Sequence, residues 1–151
     1  MDDPFKPPAA NLEVPRELTP APPPVRGAFA ALCTSVGATL LMLGAMAIGV
    51  VPLPPGAPFT MTALSNLAGA AIMGFFAWKV RTGRNWARWV LAVFTALGTF
   101  GWVFSIFVVP AAWRLLPVAH AVVGLTQFAL QVVAAILVFT PRANAWYRDS
   151  R

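Results

Sequence analysis

The stretch from Leu115 to Thr140 reads LLPVAHAVVGLTQFALQVVAAILVFT, and its only titratable side chain is His120. An α-helix rises about 1.5 Å per residue, so about twenty apolar residues suffice to cross the ~30 Å hydrocarbon layer of a bilayer. Three runs of the same character precede it, at Arg26–Val51, Thr60–Lys79 and Trp86–Val109. Four such spans joined by short connections predict an all-α integral membrane four-helix bundle, wound up-down-up-down.

Charge placement orients that bundle. Lys6, Arg16, Arg26, Lys79, Arg81, Arg84, Arg88, Arg142, Arg148 and Arg151 all fall on one side of the four spans, and only Arg114 falls on the other. The positive-inside rule then expects a multi-pass protein of the cell membrane with both termini cytoplasmic. The chain is 58% hydrophobic and 11% charged, where a soluble domain carries about a quarter charged residues. A net charge of +6 invites a nucleic-acid reading, but the basic residues gather at span ends, where anionic lipid headgroups attract them. The lipid bilayer is the expected partner of that charge, and nucleic acid is not.

Three segments follow from this reading. Residues 1–25 hold eight of the fifteen prolines and predict a disordered cytoplasmic tail, its PxxP spacings at Pro4–Pro7 and Pro20–Pro23 serving as spacer. Residues 26–140 form the bundle, and 141–151 form a short basic tail. The first run follows a long polar segment and is itself too long for a signal peptide, so it is expected to stay as a span. Cys33 stands alone, which excludes an internal disulfide, and it is expected to fill the core.

In lipid, helices associate through small residues and interhelical hydrogen bonds. The faces that offer these are Thr34, Ala38, Leu41, Ala45 and Gly49 in the first span, and Thr62, Ser65, Asn66, Gly69, Ala70 and Gly74 in the second. The third offers Thr95, Gly98, Thr99, Trp102 and Ser105. In the fourth, His120, Gly124, Gln127 and Gln131 fall at helical spacing on one stripe, which is expected to face the bundle interior or a partner protein. At a common depth, His120, Asn66 and Ser105 are expected to form one polar cluster.

The acidic inventory argues against a proton-coupled pump or transporter. Asp2, Asp3, Glu13, Glu17 and Asp149 all lie outside the spans, whereas proton-coupled transporters carry a titratable relay within them. No HExxH helix, paired Cys/His spacing or GxSxG elbow is present. Ser105 with His120 lacks an orienting carboxylate, and a single histidine supplies one metal ligand. No enzyme activity, cofactor or metal is therefore expected. The leading expectation is a non-enzymatic accessory protein associating with a larger membrane complex or with itself. The alternative is a small-molecule, quinone or lipid-binding, transport-related membrane protein with a polar pocket near His120, Asn66 and Ser105.

Loops and span ends carry the remaining signals. Gly83 is a helix stop, Asn85 a cap for the third span, and Pro141 ends the fourth, with Asn144 capping an outgoing turn. Arg84 and Arg88 stand one turn apart, placed to grip lipid phosphates, while Trp86, Trp89, Trp146 and Tyr147 are expected to anchor at headgroup depth. Gly83-Arg84-Asn85-Trp86-Ala87-Arg88 and Pro141-Arg142-Ala143-Asn144-Ala145-Trp146-Tyr147 together resemble a pattern in small four-span membrane proteins of actinobacteria, which often carry a proline-rich cytoplasmic tail. The resemblance covers residues 26–147 and implies the same four-span fold. It brings no catalytic residue to this chain.

Overall fold

The computed structural model describes residues 20–54, 56–108 and 117–149. The tail up to residue 19 and the connection 109–116, with Arg114, lie outside the described residues. Among those described, the chain is all-α: α1 Pro23–Ala47, α2 Phe59–Arg81, α3 Asn85–Val108, α4 Val118–Val138 and α5 Pro141–Asp149. The first four are long and apolar enough to cross a membrane.

Local chemistry sets the helix ends. α1 opens on Pro23 and Pro24, whose fixed φ suits the first turn and whose missing N–H groups have no helical partner to lose. It stops at Ala47 because Gly49 takes φ 75°, with Gly49 N–H donating to Met46 O and Val50 N–H to Ala45 O. Gly83 ends α2 in the same way at φ 76°, with Arg84 N–H donating to Lys79 O. Both turns are Schellman caps, in which glycine avoids the steric cost of a left-handed residue. The first span is thus shifted toward the N-terminus of its expected range, and Gly49 caps the helix instead of packing along it. Residues 141–149 form a helix where only a tail was expected, with Pro141 in its first turn.

The start of α1, the end of α2, the start of α3 and the end of α4 meet in one buried cluster that includes Leu32, Val80, Leu91 and Val138. That juxtaposition is the signature of an up-down-up-down bundle. α1 packs along α2 and α4, and α3 closes the ring against the same two helices. The cluster sits at the end where Arg26, Lys79, Arg81, Arg84, Arg88, Arg142 and Arg148 also gather, here called the basic end. Toward the opposite end large apolar side chains stand exposed: Leu41 is 78% exposed and Phe107 79%. Surface of that kind is costly in water and neutral in hydrocarbon.

The inward face of α1 is not the expected one. It runs through Val25, Ala28, Leu32 and Ser35, while Thr34 and Leu41 point outward. Cys33 is exposed as well, not a core filler. Thr34 misled because its hydroxyl donates to Ala30 O at 2.9 Å, one turn back on its own helix, and so needs no interior partner. Close helix approaches come at Gly27, which the sequence did not single out, and at Gly124 of the expected α4 stripe. A Cβ on Gly27 would lie 3.2 Å from Leu137, and one on Gly124 3.2 Å from the Trp102 ring, whereas Gly69 and Gly74 meet nothing within 4 Å.

Tyr147 on α5 also departs from expectation. It is fully buried in the core of the basic end, and its hydroxyl donates to Val80 O at 2.9 Å. It therefore pins the C-terminal helix to the end of α2 and is no headgroup anchor. Tyr147→Phe removes that bond at an expected cost of about 1 kcal/mol, and Tyr147→Ala empties the core at about 3–5 kcal/mol. Thermal unfolding of the two variants in one detergent checks the order.

Candidate functional site

The polar stripe of α4 begins to act at Gln127. Its Nε2 donates to Thr39 Oγ1 at 2.8 Å, joining α4 to α1. The Thr39 hydroxyl itself donates to Ser35 O at 3.1 Å, so its oxygen can only accept from the amide. That fixes the orientation of the glutamine and leaves its carbonyl oxygen free. On α2, Asn66 Nδ2 donates to Thr62 O at 2.8 Å, which orients the asparagine by the same logic.

These residues surround a cavity of about 210 Å³ between α1, α2 and α4, lined by Ser35, Thr39, Ser65, Asn66, Gln127 and Gln131 together with small and apolar neighbours. No titratable side chain stands in its wall. Three carboxamides and three hydroxyls can hold a neutral polar group, and they offer no acid or base for proton transfer at ordinary pH.

Of the expected cluster, the structure brings Asn66 to this cavity with Gln127 and Gln131, but neither His120 nor Ser105. Ser105 donates to Trp102 O at 2.8 Å within its own helix. His120 sits in the first turn of α4, and both its ring nitrogens are enclosed without a hydrogen-bond partner among the described residues. Equal depth was a poor guide because depth says nothing about which way a helix face turns. Ser35 and Thr39 were missed, although their i,i+4 spacing places them on one face of α1.

Between α3 and α4 lies a second opening, an apolar groove of about 630 Å³. Ala92, Ala96 and Thr99 form its α3 side, and Val132, Ala135 and Ile136 its α4 side. Ala92, Ala96, Thr99 and Ala135 in its lining are small, and small residues let a neighbouring helix approach the backbone closely.

At the basic end, Arg88 donates to Asn144 Oδ1, and its guanidinium lies 5.1 Å from the Tyr147 ring and 5.4 Å from the Phe139 ring. Asn144 Nδ2 donates to Phe139 O at 3.0 Å, so Asn144 caps the end of α4 rather than an outgoing turn. Asn85 does not cap α3 through its side chain, since its Oδ1 is enclosed with no partner among the described residues. Arg84, Trp86 and Trp89 remain exposed at this end, with Trp89 5.0 Å from Phe139 and Trp86 6.2 Å from Phe76; Trp146 is half-buried beside Tyr147. Arg88 is thus committed to the protein, and of the arginine pair only Arg84 is wholly open to a lipid phosphate.

No protein-family model, curated protein or solved structure matches this chain. Function must be argued from the geometry.

Burial of the Tyr147 phenol pushes its pKa from 10.0 up to about 12, against the opposing pull of the Arg88 charge. The folded state therefore holds its proton more tightly than the unfolded chain. Stability from this group is complete below pH 10 and falls by about 2–3 kcal/mol as pH rises toward 12. Tyr147 is the only tyrosine, so tyrosinate absorbance reports it alone. Its midpoint should lie near 12 in the folded protein and near 10 after denaturation.

Proposed function

We propose that this chain is a multi-pass protein of the cell membrane, with both termini in the cytoplasm, serving as a non-enzymatic accessory subunit beside a larger membrane complex. The observation that carries the reading is the α3–α4 groove. It is apolar and open along its length, and its lining includes Ala92, Ala96, Thr99 and Ala135. Small residues let two helix backbones come close enough for dispersion contacts to drive association in lipid, where hydrophobic burial adds little. A single transmembrane helix of a partner protein fits that description. The Gln127 stripe, in contrast, is an internal lock, since its amide is already bonded to Thr39.

The orientation rests on charge. Gathering of basic side chains at the end that carries α5 and the α2–α3 turn favours that end for the cytoplasmic face, where anionic lipids contribute about 1 kcal/mol per basic residue. Arg84, Trp86 and Trp89 then sit at headgroup depth. With Cys33 replaced by serine, a cysteine at Ala57 should react with an impermeant maleimide on intact cells, and one at Ala145 only after permeabilisation.

Affinity purification in mild detergent, with crosslinking and mass spectrometry, tests the accessory role. One stoichiometric membrane partner should appear, crosslinked to α3 or α4. Ala96→Trp fills the groove and should reduce recovery of that partner by about tenfold, as loss of roughly 1.4 kcal/mol of packing does. Leu41→Trp, on the exposed face of α1, should leave recovery unchanged. Recovery of the chain alone or only with itself overturns the accessory reading.

A further inference from the structure

We propose that the cavity between α1, α2 and α4 binds the head of an uncharged, hydroxyl-bearing amphiphile whose apolar tail lies along the helices. This inference stands apart from the accessory role, because it concerns a different opening and different residues.

The hydrogen-bond inventory selects the ligand chemistry. The Thr39 hydroxyl proton is committed to Ser35 O, and the Ser65 hydroxyl donates to Thr62 O. Asn66 Nδ2 serves the same Thr62 carbonyl, and Gln127 Nε2 serves Thr39. What remains in the wall includes two amide acceptors, Asn66 Oδ1 and Gln127 Oε1, which receive no hydrogen bond among the described residues, and the Ser35 hydroxyl, which makes none there. Gln131 makes no side-chain hydrogen bond among them, so its amide presents both donor and acceptor. A group that satisfies this wall brings O–H donors to the amide oxygens and acceptors to Gln131 and the Ser35 hydroxyl, and a hydroxyl does both. A head with carbonyls alone, such as an oxidised quinone ring or a triacylglycerol, leaves the amide oxygens unmet.

Charge and size narrow the class further. The wall holds no titratable group, so an ionised head would lose its hydration without gaining a counter-charge. About 210 Å³ is room for about seven water-sized groups, which suits a glycerol or a hydroxylated ring but not a whole lipid. Val36, Ala70 and Met73 complete the wall and offer the start of an apolar path for a tail. Position agrees: Ser35, Asn66 and Gln127 all lie well inside their helices, beyond the reach of either end.

Two sources share this chemistry, a diacylglycerol and a reduced alkyl quinol. The full chain is reconstituted in phosphatidylcholine vesicles containing either a diazirine-bearing diacylglycerol or an azido alkyl hydroquinone, and irradiated. At least one probe should label peptides around Ser35–Thr39 and Gln127–Gln131 saturably. Unlabelled compound of the same class should suppress that labelling, while trioleoylglycerol and the oxidised quinone should not. Labelling by one probe and not the other names the source. Gln131→Leu should cut labelling by about tenfold without lowering the unfolding temperature, because Gln131 holds no structural bond. Asn66→Leu is the second variant, reading the same loss from α2. Absence of saturable labelling by both probes overturns the proposal. So does labelling spread over the outer faces, or labelling that survives both substitutions.

Discussion

A side chain in hydrocarbon cannot pass an unmet hydrogen bond to water, and in the four helices long and apolar enough to cross a membrane the polar groups are bonded mostly within their own helix. Thr34, Thr62, Thr95, Thr99 and Thr126 each donate to a carbonyl one turn back, and Ser105 does so to Trp102. Hydroxyls satisfied in this way neither draw helices together nor mark an inward face. Among the described residues, one side chain joins two long helices through their middles, Gln127, which donates to Thr39 Oγ1 at 2.8 Å and to Ser35 O at 3.5 Å. The other cross-links, Tyr147 to Val80 O and Arg88 to Asn144, bind α5 to the basic end.

The packing follows from where those cross-links fall. At the basic end α5 lies across the bundle, and Tyr147 supplies both volume and a hydrogen bond to a core that is otherwise aliphatic. Burial there is complete for Val25, Leu32, Val80, Leu91 and Val138. Farther along, Gln127 against Thr39 and the Trp102 ring against Gly124 still join neighbouring helices, and the polar cavity opens beside the first of these contacts. The polar cavity lies past Leu32 on α1, and the apolar groove flanks Thr95 on α3.

How far this was legible from the chain depends on how each signal is generated. Span number and connection order were readable because twenty-residue apolar runs have few alternative uses. Gly83 was readable because a left-handed turn has few residues to choose from. The α4 stripe was readable because glutamine, unlike threonine, cannot reach its own backbone easily and must look outward. The α1 face was not, since serine, threonine and alanine occur all around that helix and the choice between them rests on its neighbours. Helix α5 was hidden by Pro141, which reads equally as the end of one helix or the start of another. An aromatic pair just past a span suggests an interfacial belt, and only the fold reveals that the Val80 carbonyl waits beneath Tyr147.

The α4 stripe repays closer reading, because four residues at helical spacing have four different fates. Gly124 has no side chain, and that gap admits the Trp102 ring of α3, 3.2 Å from where a Cβ would stand. Gln127, one turn on, spends its donors on α1. His120 is enclosed above them without a partner among the described residues, and Gln131 opens into the cavity below. A glutamine needed only for adhesion would be bonded as Gln127 is. The Gln131 carboxamide is half-buried and makes no hydrogen bond among the described residues, so it adds no such bond between helices. On the proposed reading, that amide serves what enters the cavity, beside Asn66 and Gln127.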